Sequence, residues 1–162
     1  NEAAVITVGK IDSGVRSNII PESAEMIGTI RTLDYDMQKK INRRMKEMVP
    51  AIAKAYRATA TIEIEKGYPI TFNNINLTAK MLPTLKKVAG EKNVHNIKAI
   101  TGAEDFSFFQ KEVPGLYFFL GGKTLGNKNP YPHHTPDFFI DESGMLLGVK
   151  TMTQLTIDFL NM

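Results

Sequence analysis

The sequence lacks cysteine and tryptophan altogether and has only three histidines. Without thiols, neither a disulfide framework nor a thiolate metal centre can form, so a bound metal would have to take His, Asp or Glu ligands. Charge of one sign is lacking too. Twenty basic residues against 17 acidic leave a formal charge of +3, too mild to argue for a nucleic-acid partner. The basic run Lys39, Lys40, Arg43, Arg44 and Lys46 is accompanied by Glu47 and an apolar stripe, with no interleaved aromatics, as in a solvated helix face. No apolar stretch approaches the length of a bilayer span; LYFFLGG is typical of the longest. The opening NEAAVITVGKID has neither the basic nor the apolar region of a signal peptide, so a cytoplasmic location is the expectation. It starts without Met on a strand-like run, which reads as an excerpt from a longer polypeptide.

What remains is enough for a core: 43% of the 162 residues are apolar. Residues 4–11 and 24–32 read as strands, short, β-branched and separated by the turn-rich DSGVRSN. Asp34 is an N-cap candidate for a helix over 34–57, where Met37, Ile41, Met45, Met48, Ile52 and Tyr56 recur at helical spacing. Methionines so spaced are core filler before anything else. Pro50 is expected to kink or split that helix. Residues 59–65, TATIEIE, alternate apolar and polar and predict a half-buried strand. The regular pattern stops at 67–75, where a domain crossing is placed. Beyond it the pattern predicts a helix over 76–90, a strand over 97–101, a short helix over 105–111, a strand over 116–121 and a long loop over 122–140. A final helix carries Met145, Val149, Met152, Leu155 and Phe159, with Asp141 and Glu142 favourable at its start. Alternating helices and strands indicate an α/β layered domain.

Two clusters could carry chemistry. One strand leads into Thr101-Gly102-Ala103-Glu104-Asp105-Phe106, the other toward His133-His134. If these strands run parallel, both clusters emerge at the carboxyl edge of the sheet, where open α/β folds bind ligands. The bland reading makes Glu104 and Asp105 helix caps. It is weaker for the histidines, because Pro132 and Pro136 stiffen their loop. In an extended segment adjacent histidines point apart, so one at most is a ligand, and one cannot hold a metal alone. His95 reads as a surface residue. Arg31 and Asn18 would suit a carboxylate, although spacing alone favours an arginine on an exposed strand face. A metal-free hydrolase using Asp105, His134 and Ser107 is a poor third reading, since Ser107 follows no nucleophile-elbow pattern.

The ordered set VGKIDSGVRSNIIPESAEMIGTIRTLD, TGAEDFSFF, VPGLYFFLGG and HHTPDFFIDE resembles the zinc-dependent amidohydrolases. That group includes hippurate hydrolase, auxin-conjugate amidohydrolases, aminoacylases and related metallocarboxypeptidases. The resemblance implies an α/β fold: residues 1–71 as a β-β-α-β lid (dimerisation) domain lacking its first strand and helix, and 72–162 as the later part of the α/β metallohydrolase catalytic domain. It implies hydrolysis of the amide bond of N-acyl amino acids or peptides using two divalent ions, zinc first, with manganese, cobalt or nickel as alternatives. On the matching motifs His134 becomes a metal ligand. Asn18, Arg31 and Gly102 become substrate-binding, and Glu104 and Asp105 line the crevice. Ser13-Gly14 departs from the two glycines common at that point. The general base and the other ligands would precede Asn1, leaving this segment inactive alone. A homodimer through the helix at 34–57 and strand at 59–65 is implied, with no nucleic acid or membrane as partner. The alternative is a non-catalytic module that self-associates or binds carboxylates.

Overall fold

The computed structural model describes residues 4–124, 126 and 131–162. It forms two compact units: Asn1–Thr71 with Lys98–Phe108, and Phe72–Ile97 with Phe109–Met162. The chain crosses between them first at 71/72, and the segment 98–108 clusters with the earlier residues.

The first unit is built on an antiparallel hairpin of β1 (Ala4–Ser13) and β2 (Ala24–Thr32). Val5 pairs with Arg31 and Val8 with Gly28, but Lys10 then pairs with Ile27, leaving Gly9 as the extra residue of a bulge. A Cβ at Gly28 would run into the Thr7 carbonyl oxygen, so the close approach beside the bulge requires glycine. Both faces of the hairpin are open: Val5, Ile6, Val8, Ile11, Met26 and Ile27 are 43% to 65% exposed.

Helix α1 (Tyr35–Ala55) begins where Asp34 accepts the Met37 amide at 2.7 Å. Its apolar stripe is two rows wide and only one row is covered. Met37, Ile41, Met45, Val49 and Ala53 are half-buried, whereas Met48, Ile52 and Tyr56 are exposed. The expected break at Pro50 does not occur; the helix runs unbroken through it. Pro50 and Lys46 both lie on the exposed side, where water can satisfy the carbonyl that loses its donor. The helix ends in a Schellman closure. The Ala58 amide donates to Ala53 O at 2.9 Å and the Arg57 amide to Lys54 O at 3.0 Å, with Arg57 at φ 59°.

The strands expected over 59–65, 97–101 and 116–121 join no ladder; among the described residues the sheet is the two-stranded hairpin alone. The period-two pattern reported burial rather than pairing. Ala60, Ile62 and Ile64 are half-buried while Thr59, Thr61, Glu63 and Glu65 are exposed, as one-sided packing demands. In the later segment side chains replace a strand neighbour. The Asn73 side chain accepts the Tyr117 amide and donates to the Tyr117 carbonyl, both at 2.7 Å.

The second unit centres on α2 (Ile75–Ala89); a short α3 (Phe106–Glu112) enters it, and α4 (Met145–Leu160) packs on α2. Asn74 caps α2 through the Leu77 amide at 2.9 Å. Met81, Thr84 and Leu85 of α2 and Thr151 of α4 are buried. Thr84 Oγ1 donates to Asp158 at 2.5 Å and Gln154 Nε2 donates at 2.7 Å. These two bonds, with a smaller contribution from Lys87, hold the Asp158 carboxyl below its ordinary value against the opposing effect of burial. The covered face of α4 is Leu147, Gly148, Thr151, Leu155 and Asp158, not the expected stripe, since Met145, Val149, Met152 and Phe159 are exposed. α4 is apolar on more than one side, so periodicity could not choose between them. Gly148 decides it by admitting Leu120, whose Cδ2 would lie 2.9 Å from a Cβ there.

Candidate functional site

Arg31 stands one residue from the end of β2, opposite Val5. Its Nη1 donates to the Thr101 carbonyl at 3.0 Å. That contact, within the first unit, puts a guanidinium beside the residue that precedes the segment Gly102-Ala103-Glu104-Asp105. A Cβ at Gly102 would meet only the Ile100 side chain, at an ordinary 3.7 Å, so packing within the unit does not demand glycine. Glu104 is half-buried and Asp105 exposed. Their backbone carbonyls start α3, Glu104 O accepting the Ser107 amide at 3.1 Å and Asp105 O the Phe108 amide at 2.9 Å. Ser107 is fully buried and its hydroxyl donates to Glu104 O at 2.6 Å. It is a helix-start residue with no path to a substrate.

Asn18 is not beside Arg31. It sits in the hairpin loop, in a turn closed by the Ile19 amide and Arg16 carbonyl at 3.4 Å. The loop begins past the Ser13–Ala24 pair, eight residues along β1 from Val5. At roughly 3.3 Å per residue the root of that loop lies about 26 Å along the hairpin from the Val5–Arg31 pair. Gly14, Arg16, Ile19 and Pro21 help line a shallow cavity of about 380 Å³ in this loop, well away from Arg31.

His133 and His134 belong to the second unit, in the span between Gly122 and Asp141, whose ends meet where the Asp141 amide donates to Gly122 O at 2.7 Å. The pair is not extended, as expected, but forms a turn. His134 has φ 64°, and the two ring centroids are 6.4 Å apart. Thr135 Oγ1 donates to Pro132 O at 2.8 Å and the Phe138 amide to Thr135 O at 3.1 Å. The His133 ring lies 4.8 Å from that of Phe138. Beyond this span, hydrogen bonds from the Ser143 side chain first and then from its amide, at 3.0 Å, hold the Asp141 carboxyl below the ordinary value. Among the described residues no group of three or more His, Asp or Glu could hold a metal ion. His134 is exposed, and its imidazole is chemically suited to be one ligand but not to hold an ion alone.

Reading the sequence did not anticipate Thr101 as the partner of Arg31, nor Thr135 and Phe138 as makers of the histidine turn. The first requires a contact across 70 positions; the second rests on a side-chain hydrogen bond and a ring contact that Pro132 and Pro136, which stiffen the loop, do not specify.

The family model of Peptidase family M20/M25/M40 matches residues 2–158. The chain belongs to this family. Thermostable carboxypeptidase 2 of Saccharolobus solfataricus is 39% identical over 158 residues, covering 97% of this chain and 39% of the relative. An N-acetyldiaminopimelate deacetylase of Geobacillus sp. is 38% identical over 149 residues, 92% of this chain and 38% of the relative. A solved structure from methicillin-resistant Staphylococcus aureus, proposed to be an aminohydrolase, superposes with a TM-score of 0.78 at 28% identity, covering 98% of this chain and 41% of that one. The chain is therefore an M20/M25/M40 hydrolase region of mixed α/β fold, and it spans about two-fifths of the curated relatives it matches. Among the described residues, no helix is long and apolar enough to cross a membrane.

Proposed function

We propose that this chain is the later part of a metal-dependent amidohydrolase that cleaves the amide bond of N-acyl amino acids or related peptides. In this reading residues 1–71 are the lid (dimerisation) domain and residues 72–162 the later part of the catalytic domain. The observation that carries it is Arg31. One Nη is spent on Thr101 O, which steadies the guanidinium while its other donors stay available for a substrate carboxylate. Carboxypeptidases and deacetylases of N-acetyl amino acids both act on substrates with a free carboxylate, which fits. Gly102, exposed and lacking a side chain, lets a substrate approach the backbone, and Glu104 and Asp105 lie in the same segment.

His134 would be one ligand to a divalent ion, zinc first, with manganese, cobalt or nickel as alternatives. Two such ions supply Lewis acidity and an activated water when bound. The remaining ligands and the general base belong to residues outside this chain, so the 162 residues alone are inactive. The separation of Asn18 from Arg31 changes their joint role. A carboxylate held by both would have to draw Asn18 from a second copy, consistent with a homodimer formed through the lid.

The test uses the full-length protein. Elemental analysis should give close to two metal equivalents per chain, and an N-acetyl amino acid should be hydrolysed faster than its carboxyl-blocked amide. Arg31→Ala should raise KM at least tenfold for the acid and little for the amide. Absence of metal together with absence of hydrolysis would leave the carboxylate-binding module as the reading to pursue.

A further inference from the structure

Two residues other than glycine take a left-handed backbone among the described residues, Arg57 and His134. Arg57 is explained by the helix closure it completes. His134 ends no helix, and a left-handed conformation costs a residue with a Cβ about 1–2 kcal/mol. Such a conformation persists only where the surroundings impose it.

Here they do so from both sides. Pro136 keeps Thr135 out of the helical region, so the reversal cannot be shared with that residue. Thr135 Oγ1 reaches back across both histidines to Pro132 O at 2.8 Å. The Thr135 carbonyl is itself held by the Phe138 amide at 3.1 Å. The His133 ring packs on Phe138 at 4.8 Å, tilted 54°, which anchors the residue immediately before His134. Each restraint acts on the backbone around one imidazole. We propose that Thr135 is a positioning residue: its hydroxyl, with the His133–Phe138 ring pair, locks His134 in the left-handed conformation and so presets the imidazole for a metal ion.

This rests on the reading of His134 as a metal ligand, and the experiment separates the two. Zinc affinity and stoichiometry of the full-length protein are measured by chelator competition, for the wild type and for His134→Ala, Thr135→Val, Thr135→Ser and Phe138→Leu. His134→Ala should lose one equivalent; if it keeps both, the ligand reading fails. Thr135→Val keeps the shape and loses the hydroxyl. It should weaken the affected site about 10-fold or more, the scale of losing a group that orients a metal ligand. Thr135→Ser should bind within about twofold of wild type, because the hydroxyl returns. A role in folding alone would lower the melting temperature of the metal-free protein and leave the affinity of the folded fraction unchanged. If His134→Ala loses its equivalent while Thr135→Val binds as wild type, the positioning proposal is wrong and the ligand reading stands. Should Thr135→Val not fold, Phe138→Leu decides: it too should weaken zinc, and wild-type affinity there overturns the proposal.

Discussion

The two units divide the work of the chain unevenly. The second holds an interior, with Met81, Thr84, Leu85 and Thr151 closed off between α2 and α4. The first holds a ten-residue strand and a nine-residue strand with apolar side chains open on both faces, and a 21-residue helix with no buried residue. Yet Arg31 and the Gly102–Asp105 segment, proposed above to face the substrate, belong to the first. Segments that engage ligands are often drawn from the less stable end, so the proposal and the contrast agree.

The largest test of this contrast is a pair of truncations. Leu85→Ala should destabilise the chain by about 2–5 kcal/mol, as for a buried leucine whose cavity cannot fully collapse. Val8→Ala, at 53% exposure, should cost about 0.5 kcal/mol or less. Urea unfolding of the 162-residue chain reads both. A Val8→Ala loss matching that of Leu85→Ala would mean the hairpin is covered in solution and the contrast is false.

Gly28→Ala is next in size. The added methyl meets a backbone carbonyl rather than a flexible side chain, so relief requires the strands to separate, at about 1–3 kcal/mol. Hydrogen exchange should show lost protection in β1 and β2 with α2 and α4 unchanged. Equal loss in all four would show the units unfold together.

How far the sequence disclosed this arrangement depended on the range of the signal. The helices and the hairpin were legible because capping, periodicity and β-branching are local: Asp34, the apolar spacing of α1 and the β-branched run of β1 each act within a few residues. The strands at 59–65, 97–101 and 116–121 were not, because a ladder needs a neighbour that alternation cannot name. Asn73 shows the gap most clearly. In a stretch where the pattern had ended, its amide serves Tyr117 as a strand would. Of the proposed site, Arg31 and His134 were singled out through motif resemblance. Their settings, the Thr101 carbonyl and the Thr135 turn, come from three-dimensional placement, and the same placement separates Asn18 from Arg31.

A smaller effect should appear with pH. Asp158 and Asp141 both have folded-state values lowered from the ordinary 3.8, so near that pH the unfolded chain binds the proton more readily. Their contribution is fully present above about pH 5, and it is lost as pH falls through the folded values. Thr84→Val removes the largest cause for Asp158. The gap between wild type and Thr84→Val should therefore be widest at neutral pH and shrink on acidification, read as urea midpoints from pH 7 to pH 3. A gap constant across that range would mean the lost threonine acts through packing, not through the carboxylate.

The smallest effect concerns the two left-handed residues. At Arg57 the backbone alone requires the conformation, and glycine adopts it without strain, while glycine's extra freedom in the unfolded chain offsets part of the gain. Arg57→Gly should stabilise the chain by about 0.5 kcal/mol and leave metal binding in the full-length protein unchanged. His134→Gly should relieve the same strain and remove the imidazole, so its melting temperature without metal should rise or hold while one metal equivalent disappears. The pair thus tests whether strain at His134 is kept for its side chain. If Arg57→Gly is destabilising, the Arg57 side chain makes a contribution that the helix closure does not require. If His134→Gly is strongly destabilising without metal, the turn needs that side chain for its own folding. Strain there would then not be maintained for a ligand.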